Sequence, residues 1–154
     1  MKNTCQFFFF CVILFTATIT RAELVPIKYM ATSYGLCKTA MVGTKDMTHD
    51  CKPSLLNVSY KARKVMFLFF YGNTFAAFSG DQDRQPRQDY YELDLNQVNF
   101  NLSVLPATGK CSMAGDPLVS ATYTCEAVIG GTTPETLRFV FESTGKPIFF
   151  NNNE

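Results

Sequence analysis

The residues best spaced for chemistry lie in one polar stretch. Asp81, Asp83, Gln85, Asp89 and Glu92 occupy positions 1, 3, 5, 9 and 12 of a calcium-loop spacing. The sixth position of such a loop turns sharply and demands glycine, but here it is Pro86, and Arg84 and Arg87 bring positive charge into the would-be cage. The stretch therefore reads as a solvated hairpin loop, with Glu92 the outward residue of a strand. His49 is the single histidine, so a Ser-His-Asp or Cys-His hydrolase would have to use it. Asp50 is too close in sequence to orient it, and a surface histidine in a stapled loop accounts for it. No Gly-rich phosphate loop, dinucleotide fingerprint or Cys-x-x-Cys pair is present. Carboxylates that hydrolyse glycosides need only meet in the fold, so a carboxylate-based hydrolase stays open as an alternative. The absence of Trp weakens any sugar-binding platform. No catalytic, cofactor-binding or metal-ligating residue is assigned.

The first 22 residues point to export. Lys2 supplies a positive start, residues 7–19 are an apolar run, and Thr20-Arg21-Ala22 offers small residues where a signal peptidase reads. Cleavage after Ala22 is expected. The run is too short for a transmembrane helix, and no second one follows, so no transmembrane anchor is expected after cleavage. Removing residues 1–22 from the 154 leaves 132, the size of one domain, so residues 23–154 are expected to form a single mature unit. Taking Lys2 and Arg21 from the 14 Lys and Arg leaves 12 against 13 Asp and Glu, a formal charge of −1. That balance argues against nucleic acid as a partner, which needs a basic patch, and gives no pull toward anionic membranes.

Cys5 and Cys11 leave with the signal, and Cys37, Cys51, Cys111 and Cys125 remain. An even count in an exported chain reads as two disulfides. Three connectivities are possible; the separation of 14 positions within each neighbouring pair favours Cys37 with Cys51 and Cys111 with Cys125. Structural zinc sites prefer Cys-x2-4-Cys spacing, which is lacking.

The elements that must carry these residues are strands. Period-two alternation dominates after residue 60, and no stretch of 11 or more residues has a helical apolar stripe. Residues 65–71 are apolar on both faces, Gly72-Asn73 supplies a two-residue turn, and residues 74–79 return. Residues 80–88 read as an exposed loop. Tyr91, Leu93 and Leu95 alternate until a slip at Asn96-Gln97, after which Val98, Phe100 and Leu102 take the inward phase; the slip reads as a bulge or short turn. Residues 109–113 and 121–129 are candidate partners, and Leu137, Phe139 and Phe141 alternate with Arg138 and Glu142. Residues 27–32 could be a strand, and residues 37–51 read as a stapled loop or short helix. Turns every ten residues or so predict an all-β antiparallel sandwich or small barrel of about seven to nine strands, stapled by two disulfides.

The two-faced hairpin admits two readings. Phe67, Phe69, Tyr71, Phe75 and Phe78 either form an exposed interaction patch or are covered by the N-terminal segment or a second sheet, and burial is the ordinary fate of such residues. Asn57-Val58-Ser59 and Asn101-Leu102-Ser103 match the N-glycosylation acceptor pattern.

The stretch from Phe75 through Ser79-Gly80-Asp81-Gln82-Asp83-Arg84-Gln85 to Pro86, then Tyr91-Glu92-Leu93, Gly109-Lys110-Cys111-Ser112-Met113 and Tyr123-Thr124-Cys125-Glu126-Ala127, resembles small exported bacterial proteins of unassigned role. These share a Phe-x-Gly-x-x-Asp-x-Gln-Pro hairpin and a cysteine pair near the C-terminus. The resemblance covers roughly residues 63 to 142 and implies a secreted or periplasmic setting and the Cys111 with Cys125 pairing. The function expected is a non-catalytic exported binding or structural domain, acting on a protein partner or, as an alternative, carrying a small apolar ligand inside a barrel.

Overall fold

The computed structural model describes residues 26–130 and 134–150; the expected signal peptide, residues 1–22, lies outside the described residues. The described residues form eleven strands. They are β1 (Ile27–Val42), β2 (Lys45–Asp46), β3 (Cys51–Tyr60), β4 (Val65–Tyr71), β5 (Thr74–Gly80), β6 (Gln82–Arg87), β7 (Tyr90–Phe100), β8 (Ser103–Asp116), β9 (Ser120–Ile129), β10 (Glu135–Ser143) and β11 (Ile148–Phe150). Each of β1, β3, β4, β5, β7, β8, β9 and β10 pairs antiparallel with the next, and β1 also pairs with β10. The sheet thus closes on itself as an eight-stranded up-and-down barrel rather than a sandwich, which removes its edges. Among the described residues no helix is long and apolar enough to cross a membrane.

Closure depends on a close approach at the seam. Gly35 of β1 stands opposite Ser143 of β10, and a Cβ there would overlap the Glu142 carbonyl oxygen. Ser143 is itself buried; its Oγ accepts from Ala121 N–H at 3.0 Å and donates to Ala121 C=O at 3.2 Å, tying β10 to β9.

Alternation turns every second side chain inward, and eight strands leave an interior just wide enough for side chains to fill. One rung runs Leu93, Cys111, Cys125, Phe139, Ala40 across β7, β8, β9, β10 and β1. All five are at most 1% exposed. The Cys111–Cys125 disulfide is therefore an interior cross-strand bridge. Phe139 meets Phe69, Phe78 and Tyr71 with ring centroids 5.2, 5.6 and 5.7 Å away, and Tyr71 stacks on Phe100 at the same end. This end is closed by aromatic side chains, with Met47 packed against them.

The Cys37–Cys51 bridge joins β1 to β3. Their ladder runs out at Tyr34 opposite Ser54, three residues before the bridge on each strand, so the disulfide holds them where hydrogen bonds no longer do. Residues 37–51 are accordingly not one stapled loop: β1 continues through Cys37 to Val42, and only β2 and the 3-10 turn Thr48–Asp50 fit that description.

Two further expectations are corrected. Residues 82–87 form a strand, β6, although every side chain is exposed and Pro86 lacks an amide hydrogen. β6 has only β7 as neighbour, and Pro86 falls where the register shifts between Arg84 and Arg87, so no ladder donor is missed. Leu102 is not inward. It is 83% exposed in the two-residue turn joining β7 to β8, with Asn101 at φ 49° and Leu102 at φ 64°. Both residues are left-handed there, which is where Asn-Gly is preferred. Leu102→Gly is expected to raise unfolding free energy by about 1 kcal/mol, read as a higher urea midpoint at unchanged slope.

Candidate functional site

The strands that fill the closed end leave a cavity of about 250 Å³ at the other end. Inward positions at strand ends build it. Phe149, Ala31, Asn57 and Phe67 lie in one rung across β11, β1, β3 and β4. Tyr91, Met113 and Tyr123 face them across β7, β8 and β9. Phe67 is the floor, with Tyr91 6.3 Å and Tyr123 5.8 Å away between ring centroids, both at tilted or edge geometry. Tyr29 and Phe149 meet edge to face at 6.4 Å on the β1 and β11 side. After Gly80 the chain bends at Asp81 and β6 extends past the rim, bringing Gln85 to the cavity.

The polar groups in this wall are few and incompletely partnered. Asn57 Oδ1 and Tyr91 Oη are shielded from solvent and accept or donate no hydrogen bond. Leaving such a group unmade costs about 1–3 kcal/mol. Burial pushes the Tyr91 phenol well above its ordinary range, and the nearby Asp83 carboxylate adds to this. Burial likewise raises Tyr29, offset in part by the Asn57 side chain and reinforced by Asp83. Tyr123 is raised by burial, with Ser33 pulling the other way. The three phenols stay protonated at neutral pH. They serve as hydrogen-bonding groups on an apolar wall and lack the lowered pKa of a phenolate base.

At the closed end, burial and then the Glu135 charge raise Tyr71 to about 12. In the unfolded chain tyrosine ionises near pH 10. The folded protein holds these protons more tightly, so their stabilisation is complete below pH 10 and is lost as pH rises through 10 toward 12. The melting temperature is expected to fall over that window, with tyrosinate absorption appearing mainly on unfolding.

Of the aromatic residues singled out in the hairpin, Phe67, Phe69, Tyr71 and Phe78 are 4% exposed or less. They line the barrel interior and form no exposed patch, because closure of the barrel covers that face of β4 and β5. Only Phe75 faces outward, half-buried opposite Phe70. Asn57, a glycosylation triplet in the sequence, has its side-chain oxygen shielded inside the cavity. Asn101 is exposed in its turn and accepts from the Tyr71 hydroxyl at 3.4 Å. His49 is exposed beside Asp50. The calcium-like series is strung along the two arms of the β6–β7 hairpin, where Glu92 binds Arg84 and Lys110 and accepts from Tyr90.

Tyr29, Asn57, Tyr91 and Tyr123 were not legible as a site. The available signal was a polar residue on an inward phase: along β3 the inward positions change from Leu55 to Asn57 and Ser59 toward the open end. Comparison with protein-family models, curated proteins and solved structures finds no match to this chain, so the cavity is read from its own geometry.

Proposed function

We propose that this protein is an exported, non-catalytic binding protein that holds one small, mostly apolar ligand in the mouth of its barrel. The observation that carries this is the cavity with two shielded, unpartnered polar atoms, Asn57 Oδ1 and Tyr91 Oη, set in an aromatic wall. An apolar enclosure with few convergent polar groups is the usual form of a small-molecule site. Benzene occupies an engineered cavity of about 150 Å³, so this one suits a substituted or fused ring. The two disulfides support an oxidising compartment, as does the leader-like start of the sequence.

The test uses 2-naphthol, a fused ring with one hydroxyl, titrated by calorimetry against wild type and Asn57→Leu. Asn57→Leu removes the unpartnered acceptor without changing side-chain size much. It is expected to stabilise the free protein by about 1 kcal/mol and to weaken 2-naphthol about tenfold. Equal affinities for the two proteins, or no binding to wild type together with no ligand retained in native mass spectrometry of protein from its own host, would refute the proposal.

A further inference from the structure

The cavity has an uneven charge environment, and this narrows its ligand. Asp83 stands opposite Leu93 in the β6–β7 ladder, and Leu93 is an inward residue with no exposed surface. Asp83 therefore lies on the lumen side of the hairpin, and Gln85, two residues on, lines the cavity. Arg84 between them points the other way, to Glu92 and Asp94 on the outer face. The remaining cations of the hairpin region are likewise engaged elsewhere, Arg87 with Asp89 and Lys110 with Glu92. Among the described residues no lysine or arginine pairs with Asp83.

The mouth thus combines five aromatic rings, Tyr29, Phe67, Tyr91, Tyr123 and Phe149, with an acceptor without a donor and, beside it, the Asp83 carboxylate, which faces the Tyr91 phenol and is neutralised by no lysine or arginine among the described residues. Aromatic faces attract cations, and more strongly when water is excluded. A carboxylate at the rim favours positive charge and disfavours negative. We infer that the ligand is a protonated primary or secondary amine on an aromatic body, its ring against Phe67 and its ammonium between Asn57 Oδ1 and Asp83. Asn57 decides among cations: its orphaned oxygen needs an N–H donor, which a quaternary ammonium lacks. The inference rests on the small-ligand reading above and gives that site its ligand class.

Three near-isosteric probes separate charge from shape: 2-phenylethylamine, 2-phenylethanol and 3-phenylpropionate, titrated against wild type and Asp83→Asn. In wild type the amine is expected to bind about tenfold more tightly than the alcohol, and the acid most weakly, as charged hydrogen bonds require. Asp83→Asn, an exposed substitution that leaves the fold untouched, is expected to bring the amine down to the alcohol while the alcohol keeps its affinity. If amine and alcohol bind wild type alike, or Asp83→Asn weakens both equally, the amine inference fails while the small-ligand proposal stands. If none of these probes binds, and 2-naphthol does not either, both fail.

Discussion

Phe139→Ala is expected to lower the unfolding free energy by about 3–5 kcal/mol. Phe139 has no exposed surface and touches three other interior rings. Its rung neighbours are Ala40 and Cys125. Ala40 is already minimal, and Cys125 is tied to Cys111, so neither can move to refill the space. A domain of this size is held by about 5–15 kcal/mol in total, so the variant should be partly unfolded near body temperature. Urea denaturation measures this. Phe139→Leu should cost less, about 1–2 kcal/mol, because it keeps most of the volume and loses mainly the ring–ring contacts, one edge-to-face and two tilted. A loss under about 1.5 kcal/mol for the alanine variant would mean that the closed end is not packed solid.

The second large effect belongs to the interior disulfide. Cys111→Ala with Cys125→Ala should cost about 3 kcal/mol, as expected when a bridge spanning about 15 residues no longer restricts the unfolded chain. The two bridges should also separate under mild reduction. Cys37 and Cys51 are half-buried on the wall, whereas Cys111 and Cys125 are 0% and 1% exposed. Thiol exchange needs access of the attacking thiolate. Intact mass after alkylation should therefore show the Cys37–Cys51 bridge opened in folded protein, and Cys111–Cys125 opened only with global unfolding. Simultaneous opening in native buffer would show that β8 and β9 separate locally.

The strand phases carried most of the fold in the sequence alone. The inward set Leu137-Phe139-Phe141, the Gly72-Asn73 turn and the slip at Asn96 all follow from period-two alternation and local turn chemistry. The slip is a register shift between Leu95 and Gln97, and the turn joins Tyr71 to Thr74. The β class and the favoured cysteine pairs were legible for the same reason: each depends on residues near one another in the chain.

Sandwich or barrel was a tertiary decision. It turns on whether β1 meets β10, a pairing of residues about a hundred positions apart, and nothing in either strand's own pattern requires it. Gly35 permits the approach without announcing it. The same closure decided the fate of the aromatic hairpin, turning an apolar face that could have docked a partner into barrel interior. It also assembled the mouth, since Asn57, Tyr91 and Tyr123 come from three strands with no common motif. Polar residues on an inward phase mark the end of a core in sequence. Whether they face water or enclose a cavity depends on what the last strand, β11, and the bent arm β6 bring over them.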